Sequence, residues 1–330
     1  LPLSCNDATN ERIMQKRLIP HPIIEQIITQ ERLPPKFAET AHDFYLPLSN
    51  YIAKRCHSSS DTLIVGVNGA QGTGKSTLSL VLKQLLQARQ LECVVISIDD
   101  LYLTRKERAR LVEEVHPLLK TRGVPGTHDL KLGLDILAAL QAATTDSQIA
   151  IPHFDKAQDE RSPSQYWQVH NGPVDVIVLE GWCVGARPTA LAGSPINALE
   201  NSKDADGTWR RYIEAQLLDY QRLFTQIDLL VMLKAPSMEC ITEWRTLQEQ
   251  KLIARVEAAA QASSSLKEVT APNNGIMNKD ELLWFIMHYE RLTRYMLKTM
   301  PQHADVVFDL DAEHHIEAVH YRDQIGRIPS

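Results

Sequence analysis

The chain has 330 residues, 44% hydrophobic and 23% charged, with a formal net charge of −6. That composition suits a folded enzyme of one large α/β domain with extensions, or two smaller domains. It argues against a nucleic-acid-binding or anionic-membrane face, and no apolar run approaches the ~18 residues of a bilayer span. Five scattered cysteines, with no C-x-x-C, argue against a disulfide framework. Cys93 and Cys183 fall in or beside strand-like runs and read as buried, inert thiols. No signal peptide is visible, so a reducing cytoplasm is the expected compartment.

Residues 1–58 read as a helical extension packed on the core. Ile13, Leu18, Ile23, Ile24, Ile27 and Ile28 suit short helices, broken by Pro20, Pro22 and Pro34-Pro35. A further helix over 37–52 is interrupted near Pro47, and His57-Ser58-Ser59-Ser60 reads as a linker. Strands are expected over 62–67, 92–98, 174–179, 227–233 and 305–310. Helices are expected over 77–86, with Leu78, Val81, Leu82 and Leu85 on one face, and over 130–143, 208–224, 237–262 and 279–299. Strands spaced by helices imply a parallel sheet of five strands, or slightly more, with helices on both faces. The polar stretch 197–207 reads as a surface insertion, and 258–275 as a helix end running into a loop at Pro272-Asn273-Asn274-Gly275.

On such a sheet, ligands bind at the carboxyl ends of the strands. The first strand runs into Gly69-Ala70-Gln71-Gly72-Thr73-Gly74-Lys75-Ser76, which fits G-x-x-x-x-G-K-[ST] and opens a helix. Backbone N–H groups and the helix N-terminus cradle phosphate there. Lys75 is expected to reach the β- and γ-phosphates and Ser76 to ligate Mg²⁺, with Thr77 completing the nucleotide loop. The second strand ends in Ser97-Ile98-Asp99-Asp100-Leu101-Tyr102. A carboxylate at that edge orients or deprotonates a hydroxyl, or holds Mg²⁺; an Asp there also serves as a helix cap. The third strand ends in Glu180-Gly181-Trp182, with Glu180 placed as an acid beside the metal and phosphates.

Between the second and third strands lie two mixed loops of Pro, Gly, His and basic residues, over 116–129 and 151–161. Asp129 also fits the N-cap of the next helix. His116 and His128 lack a third ligand at metal spacing, which disfavours zinc. Arg122, Lys156, Arg161 and Arg187 are the cations available to an anionic acceptor. Arg245 lies on the helix after the fourth strand, where a mobile lid would carry an arginine over a transferring phosphoryl group. A guanine-nucleotide switch is the competing class. Asn278-Lys279-Asp280-Glu281 only approaches N-K-x-D, and Asp204-Ala205-Asp206-Gly207 matches D-x-x-G without a preceding strand.

Together, the P-loop, Asp99-Asp100-Leu101-Tyr102 and Glu180-Gly181 resemble the phosphoribulokinase, uridine kinase and pantothenate kinase group of P-loop kinases. The segment from Arg122 to Asp129, Pro152-His153-Phe154-Asp155-Lys156, Glu180-Gly181-Trp182 and Trp244-Arg245 are similar to the plant-type D-glycerate 3-kinases and their microbial and fungal relatives. The resemblance covers about residues 60–310. It implies a P-loop NTPase fold and ATP- and Mg²⁺-dependent phosphoryl transfer to a small alcohol. D-glycerate, converted to 3-phosphoglycerate, is favoured over a pentose, nucleoside or pantothenate-like acceptor. The expected catalytic set is Lys75, Asp99, Glu180 and Arg245, with Ser76, Asp99 and Glu180 toward the metal. Asp100, Tyr102, Arg122, His128, Asp129, Lys156, Arg161 and Arg187 form the expected acceptor side. The implied kinase domain is 59–330, with acceptor insertions about 100–170 and 181–210 and a lid near 237–262. No nucleic-acid or membrane partner is expected.

Overall fold

Leu63–Gly69 (β1) is buried along its whole length, as an apolar strand with parallel partners on both sides must be. The computed structural model describes residues 22–31, 33–34, 36–189, 193–263 and 277–322. Ile13, Leu18, Pro20 and the 272–275 break lie outside them. Upstream of β1 come α1 (Pro22–Glu31), a short helix at Phe37–Thr40, a π turn at Ala41–Tyr45 and α2 (Leu46–Cys56). The wide π turn is the interruption expected near Pro47, which lacks an N–H and whose ring crowds the preceding turn.

The rest of the chain alternates strand and helix. α3 (Lys75–Gln87) leads to β2 (Cys93–Ser97), then α4 (Arg105–Glu114) and α5 (Leu130–Gln141). Two small antiparallel ribbons follow: β3 (Gln148–Ile151) pairs with β6 (Gln168–Asn171), and β4 (Phe154–Asp155) with β5 (Glu160–Arg161). β7 (Val176–Gly181), α6 (Thr208–Phe224), β8 (Leu229–Lys234), α7 (Met238–Ser263), α8 (Lys279–Thr299), β9 (Val306–Leu310) and β10 (Ile316–Tyr321) complete the described chain.

The main sheet has six strands in the order β10-β9-β8-β1-β7-β2, parallel except for the edge strand β10. The chain leaves β1 toward β2 on one side and later crosses to β8 on the other. That reversal opens a crevice at the carboxyl end of β1, where a ligand binds in such sheets. The sheet separates two apolar cores. One joins Ile177, Leu179, Leu137, Leu217, Tyr220 and Leu292. The other joins Val65, Val67, Leu78, Leu82 and Leu85 to Ile24, Ile27, Leu48 and Ile52 from the N-terminal helices. These helices therefore buttress the P-loop helix α3 from behind. No helix among the described residues is long and apolar enough to cross a membrane.

The stretch expected as a surface insertion does lie at the surface, with Ala198, Asn201, Ser202, Lys203, Ala205 and Asp206 exposed, but it is anchored inward. Asn197 caps a short helix, Ala198–Lys203, and Leu199, Glu200 and Asp204 are fully buried. Glu200 pairs with Arg291, and Asp204 with the buried Arg210 at 2.8 Å. Polar composition suggested exposure; the partners that permit burial arrive later in the chain, on α6 and α8.

Candidate active site

The P-loop turns between β1 and α3 with positive φ at Gly72 (85°) and Gly74 (90°), the left-handed region that glycine enters freely. A side chain at Gly72 would also press on Trp244 Cβ, 3.1 Å away. Thr73 Oγ1 donates to the Ala70 carbonyl at 2.8 Å, and Lys75 Nζ donates to the same carbonyl at 3.4 Å. Gly69, Ala70 and Thr73 thus shape the loop. Gln71, Gly72, Gly74, Lys75, Ser76 and Thr77 line a cavity of about 470 Å³. Asn68, the last residue before the loop, donates to the carbonyls of Trp182 and Val184 at 2.7 and 2.9 Å, which locks the ends of β1 and β7 together.

That lock brings Glu180 to the loop. Ser76 Oγ donates to Glu180 Oε1 at 3.0 Å, and Glu180 is buried. Asp99, on the 3₁₀ turn Ile98–Leu101 that ends β2, faces the same cavity. One Asp99 oxygen accepts from Tyr102 Oη and the other from Lys156 Nζ, each at 2.6 Å. Burial pushes the Asp99 carboxyl up, but Lys156, Tyr102 and Lys75 outweigh it and hold the carboxyl at about 2. Asp99 is therefore a carboxylate at any physiological pH.

Asp100 turns the other way. It accepts from the Phe154 N–H at 2.9 Å, lies 3.2 Å from His153 Nδ1, and is pushed up by burial. It lines a second crevice, of about 420 Å³, that shares Asp99, Lys156 and Glu180 with the first. Arg122 lines the first cavity, pairs with Asp159 and lies over the rings of Tyr102 and Phe154 at 5.8 and 5.5 Å. Arg245 reaches the cavity from α7, paired with the buried Glu249 at 3.1 Å and lying over Phe285 at 5.9 Å.

Besides Asp100, four other expected acceptor-side residues do not line the first cavity. Asp129 caps α5, accepting from Leu132 N at 2.9 Å, and pairs with Arg161 at 3.2 Å. Arg161 also donates to the Tyr102 carbonyl at 2.9 Å. His128 is buried, bonded through Nδ1 to Tyr220 Oη at 2.6 Å and packed on Tyr102; burial pushes it down to about 4. Those three support the cavity wall from behind. Arg187 is exposed, and its charge acts on His303, on the turn that enters β9 at the opposite end of the sheet.

Tyr289 and Phe285 of α8 and Gln248 of α7 line the cavity without a sequence signal to mark them. Tyr289 Oη donates to the Arg122 carbonyl at 2.7 Å and covers Gly123, whose φ is 117° and which leaves no room for a Cβ. Cys183 is buried, its thiol pushed up to about 12 by burial, and Cys93 likewise. The near miss to N-K-x-D is a helix cap: Asn278 accepts from Glu281 N while Glu281 reaches back to Asn278 N.

Among the described residues, no cluster of three or more His, Cys, Asp or Glu side chains suits a metal by itself. Mg²⁺ needs less, since it keeps waters and takes most of its ligands from phosphates plus one or two protein oxygens. Ser76 Oγ and Glu180, 3.0 Å apart beside the phosphate loop, fit that requirement.

No family model matches the chain. In sequence it is 29% identical over 247 residues to the uncharacterized kinase mug58 of Schizosaccharomyces pombe, covering 72% of this chain and 82% of that protein. It is 30% identical over 194 residues to the chloroplastic D-glycerate 3-kinase of Arabidopsis thaliana, covering 57% of this chain and 41% of the plant protein. In structure it superposes on D-glycerate 3-kinase from Cryptococcus neoformans var. grubii with a TM-score of 0.68 and 24% identity, covering 84% of this chain and 98% of that one. The chain has the fold of a P-loop kinase. Kinases are its relatives in sequence.

Proposed function

We propose that this protein transfers the γ-phosphoryl group of ATP to a hydroxyl of D-glycerate, forming 3-phosphoglycerate. The observation that carries the reading is one cavity with two unlike walls. On one side stand the P-loop and Lys75, suited to polyphosphate. On the other stand Asp99, Tyr102, Lys156 and Arg122, a carboxylate beside two cations. The relatives named D-glycerate 3-kinase supply the matching substrate.

In this reading Lys75 leaves the Ala70 carbonyl for the β- and γ-phosphates. Ser76 and Glu180 would hold Mg²⁺, which supplies charge neutralisation at the phosphates when bound. Asp99 accepts the hydrogen bond of the acceptor hydroxyl and takes its proton as the bond to phosphorus forms. Outweighing burial, Lys156 makes the Asp99 carboxylate a weak base in the free protein, and its basicity rises when Lys156 turns to the acceptor's carboxylate. The role of Asp99 is to orient the hydroxyl, with the proton moving late, as suits a loose phosphoryl-transfer transition state. Lys156 and Arg122 meet the glycerate carboxylate, and Arg245 steadies the transferring group from α7.

The test is ATP consumption with D-glycerate, L-glycerate and glycerol. D-glycerate is expected to be the best acceptor, and Arg122→Ala to raise its KM at least ~10-fold with little change for ATP. Glycerol phosphorylated as well as D-glycerate would refute carboxylate recognition.

A further inference from the structure

Arg108 is a charge in an unfavourable place. It lies in the first turn of α4, where the helix dipole opposes a cation, and only 3% of its surface is exposed. Burying a guanidinium is costly unless its donors are satisfied. Here they are, by three separate segments. Nε donates to the Leu103 carbonyl at 3.2 Å and Nη1 to the Lys120 carbonyl at 2.9 Å. Nη2 donates to the Asp159 carbonyl at 3.1 Å and to Asp159 Oδ2 at 2.7 Å. Asp159 occupies the turn between β4 and β5 with φ of 52°, a left-handed conformation that an aspartate holds at some cost. Its other carboxylate oxygen takes Arg122.

The three segments carry the acceptor wall. Leu103 follows Tyr102, Lys120 precedes Arg122 by two residues, and the hairpin closed by Asp159 carries Lys156. Arg108 itself does not line the cavity. We propose that Arg108 is a positioning residue that clamps the β4–β5 hairpin to the 102–103 and 120–122 segments, and so sets the spacing of Tyr102, Arg122 and Lys156 to which the acceptor is fitted. The inference rests on the kinase reading for the nature of that ligand. The clamp itself rests on the four hydrogen bonds. A planar fork is needed for it; a lysine keeps the charge but cannot span three segments at once.

The experiment uses two variants of the full chain, Arg108→Lys and Asp159→Asn. The first retains a cation for Asp159 and leaves the Arg122–Asp159 pair intact. The second changes a side chain that is 34% exposed and keeps the carbonyl bonds of Arg108, so a folding failure of one variant leaves the other. Steady-state kinetics with D-glycerate and ATP are paired with amide hydrogen exchange. In both variants the acceptor KM is expected to rise at least ~10-fold while the ATP KM stays within ~2-fold. Exchange is expected to quicken together over 154–161 and 117–122, and not over the P-loop at 69–77. A residue that merely supports the fold would lower the melting temperature and leave the ratio of the two KM values unchanged; that result overturns the proposal. So does hairpin exchange equal to the parent's. A parent chain that turned over no acceptor would refute the kinase reading instead, and the exchange measurement in the two variants would then decide the clamp by itself.

Discussion

Replacing Asp99 by Asn separates the chemistry of the site from its architecture. In the parent, one Asp99 oxygen accepts from Tyr102 and the other from Lys156, both at 2.6 Å. The amide keeps the volume. Its nitrogen must face either the Lys156 ammonium, donor against donor, or Tyr102, whose hydroxyl then reverses. In neither arrangement is there a group that takes a proton. Loss of a positioned proton acceptor costs about 10²- to 10⁴-fold in rate, or roughly 3–5 kcal/mol of transition-state stabilisation. The loss of stability is much smaller. Lys156 is 59% exposed and Asp99 31%, so breaking their ion pair is worth about 1 kcal/mol or less. The assay is coupled ATP consumption with saturating D-glycerate, alongside nucleotide binding and thermal unfolding. The expected result is unchanged ATP affinity, a melting temperature within a few degrees of the parent, and kcat reduced at least ~100-fold. A kcat within ~5-fold of the parent would refute the role given to Asp99. Asp100→Asn is the control. The amide oxygen still accepts from Phe154 N, so kcat should change little; a larger kcat defect there than at Asp99 would move the base to Asp100.

Lys75→Ala should cost at least ~100-fold in turnover at a nearly unchanged melting temperature, because Lys75 acts on phosphate charge and no core residue depends on it; near-parental turnover would sink the P-loop assignment. His128→Asn probes acid stability. The buried His128 titrates near 4 against 6.5 when unfolded, so the unfolded chain binds the extra proton first as pH falls. The parent should lose stability between pH 6.5 and 4, by roughly 3 kcal/mol at most from this group, and the variant should lose less over that window in urea titrations; parallel curves would show that His128 does not titrate as stated. Asp204→Ala leaves the buried Arg210 with only the more distant Glu200, at 4.0 Å, as a charge partner, and should destabilise by about 3 kcal/mol without altering either KM. A kinetic effect beyond the loss of folded protein would mean that this network reaches the cavity.

Much of the sheet was legible because its strands are buried on both faces and read as apolar runs. The edge strand Ile316–Tyr321 was missed because it is half polar and pairs on one side only. Helix Arg105–Glu114 was missed because its charged sequence carries almost no apolar face. Its start did leave a signal, since Thr104 and Glu107 have the spacing of a capping box and form one. The P-loop, Asp99 and Glu180 were legible because their function lies at strand ends, which a local reading locates. Tyr289 was not, because a tyrosine on an amphipathic helix reads as core until the neighbouring glycine, Gly123, is seen beneath it.

Charge is where local reading fails most, and the reason bears on the acceptor. Sequence supplies cations one at a time, as if each were free. In the fold, Lys156 is paired with Asp99, Arg122 with Asp159 and Arg245 with Glu249. An anionic acceptor entering this cavity therefore exchanges partners with an acid already in place. Exchange leaves the displaced acid to find a new partner, because an unpaired charge in a confined site is costly; for Asp99 the acceptor hydroxyl and Lys75 are the groups at hand. A neutral polyol offers hydroxyls but no carboxylate for the cation, so it must either leave the pairs closed, with Asp99 still engaged by Lys156, or strand a charge. The pairing that hid these residues from a sequence reading is therefore also what the comparison of D-glycerate with glycerol tests.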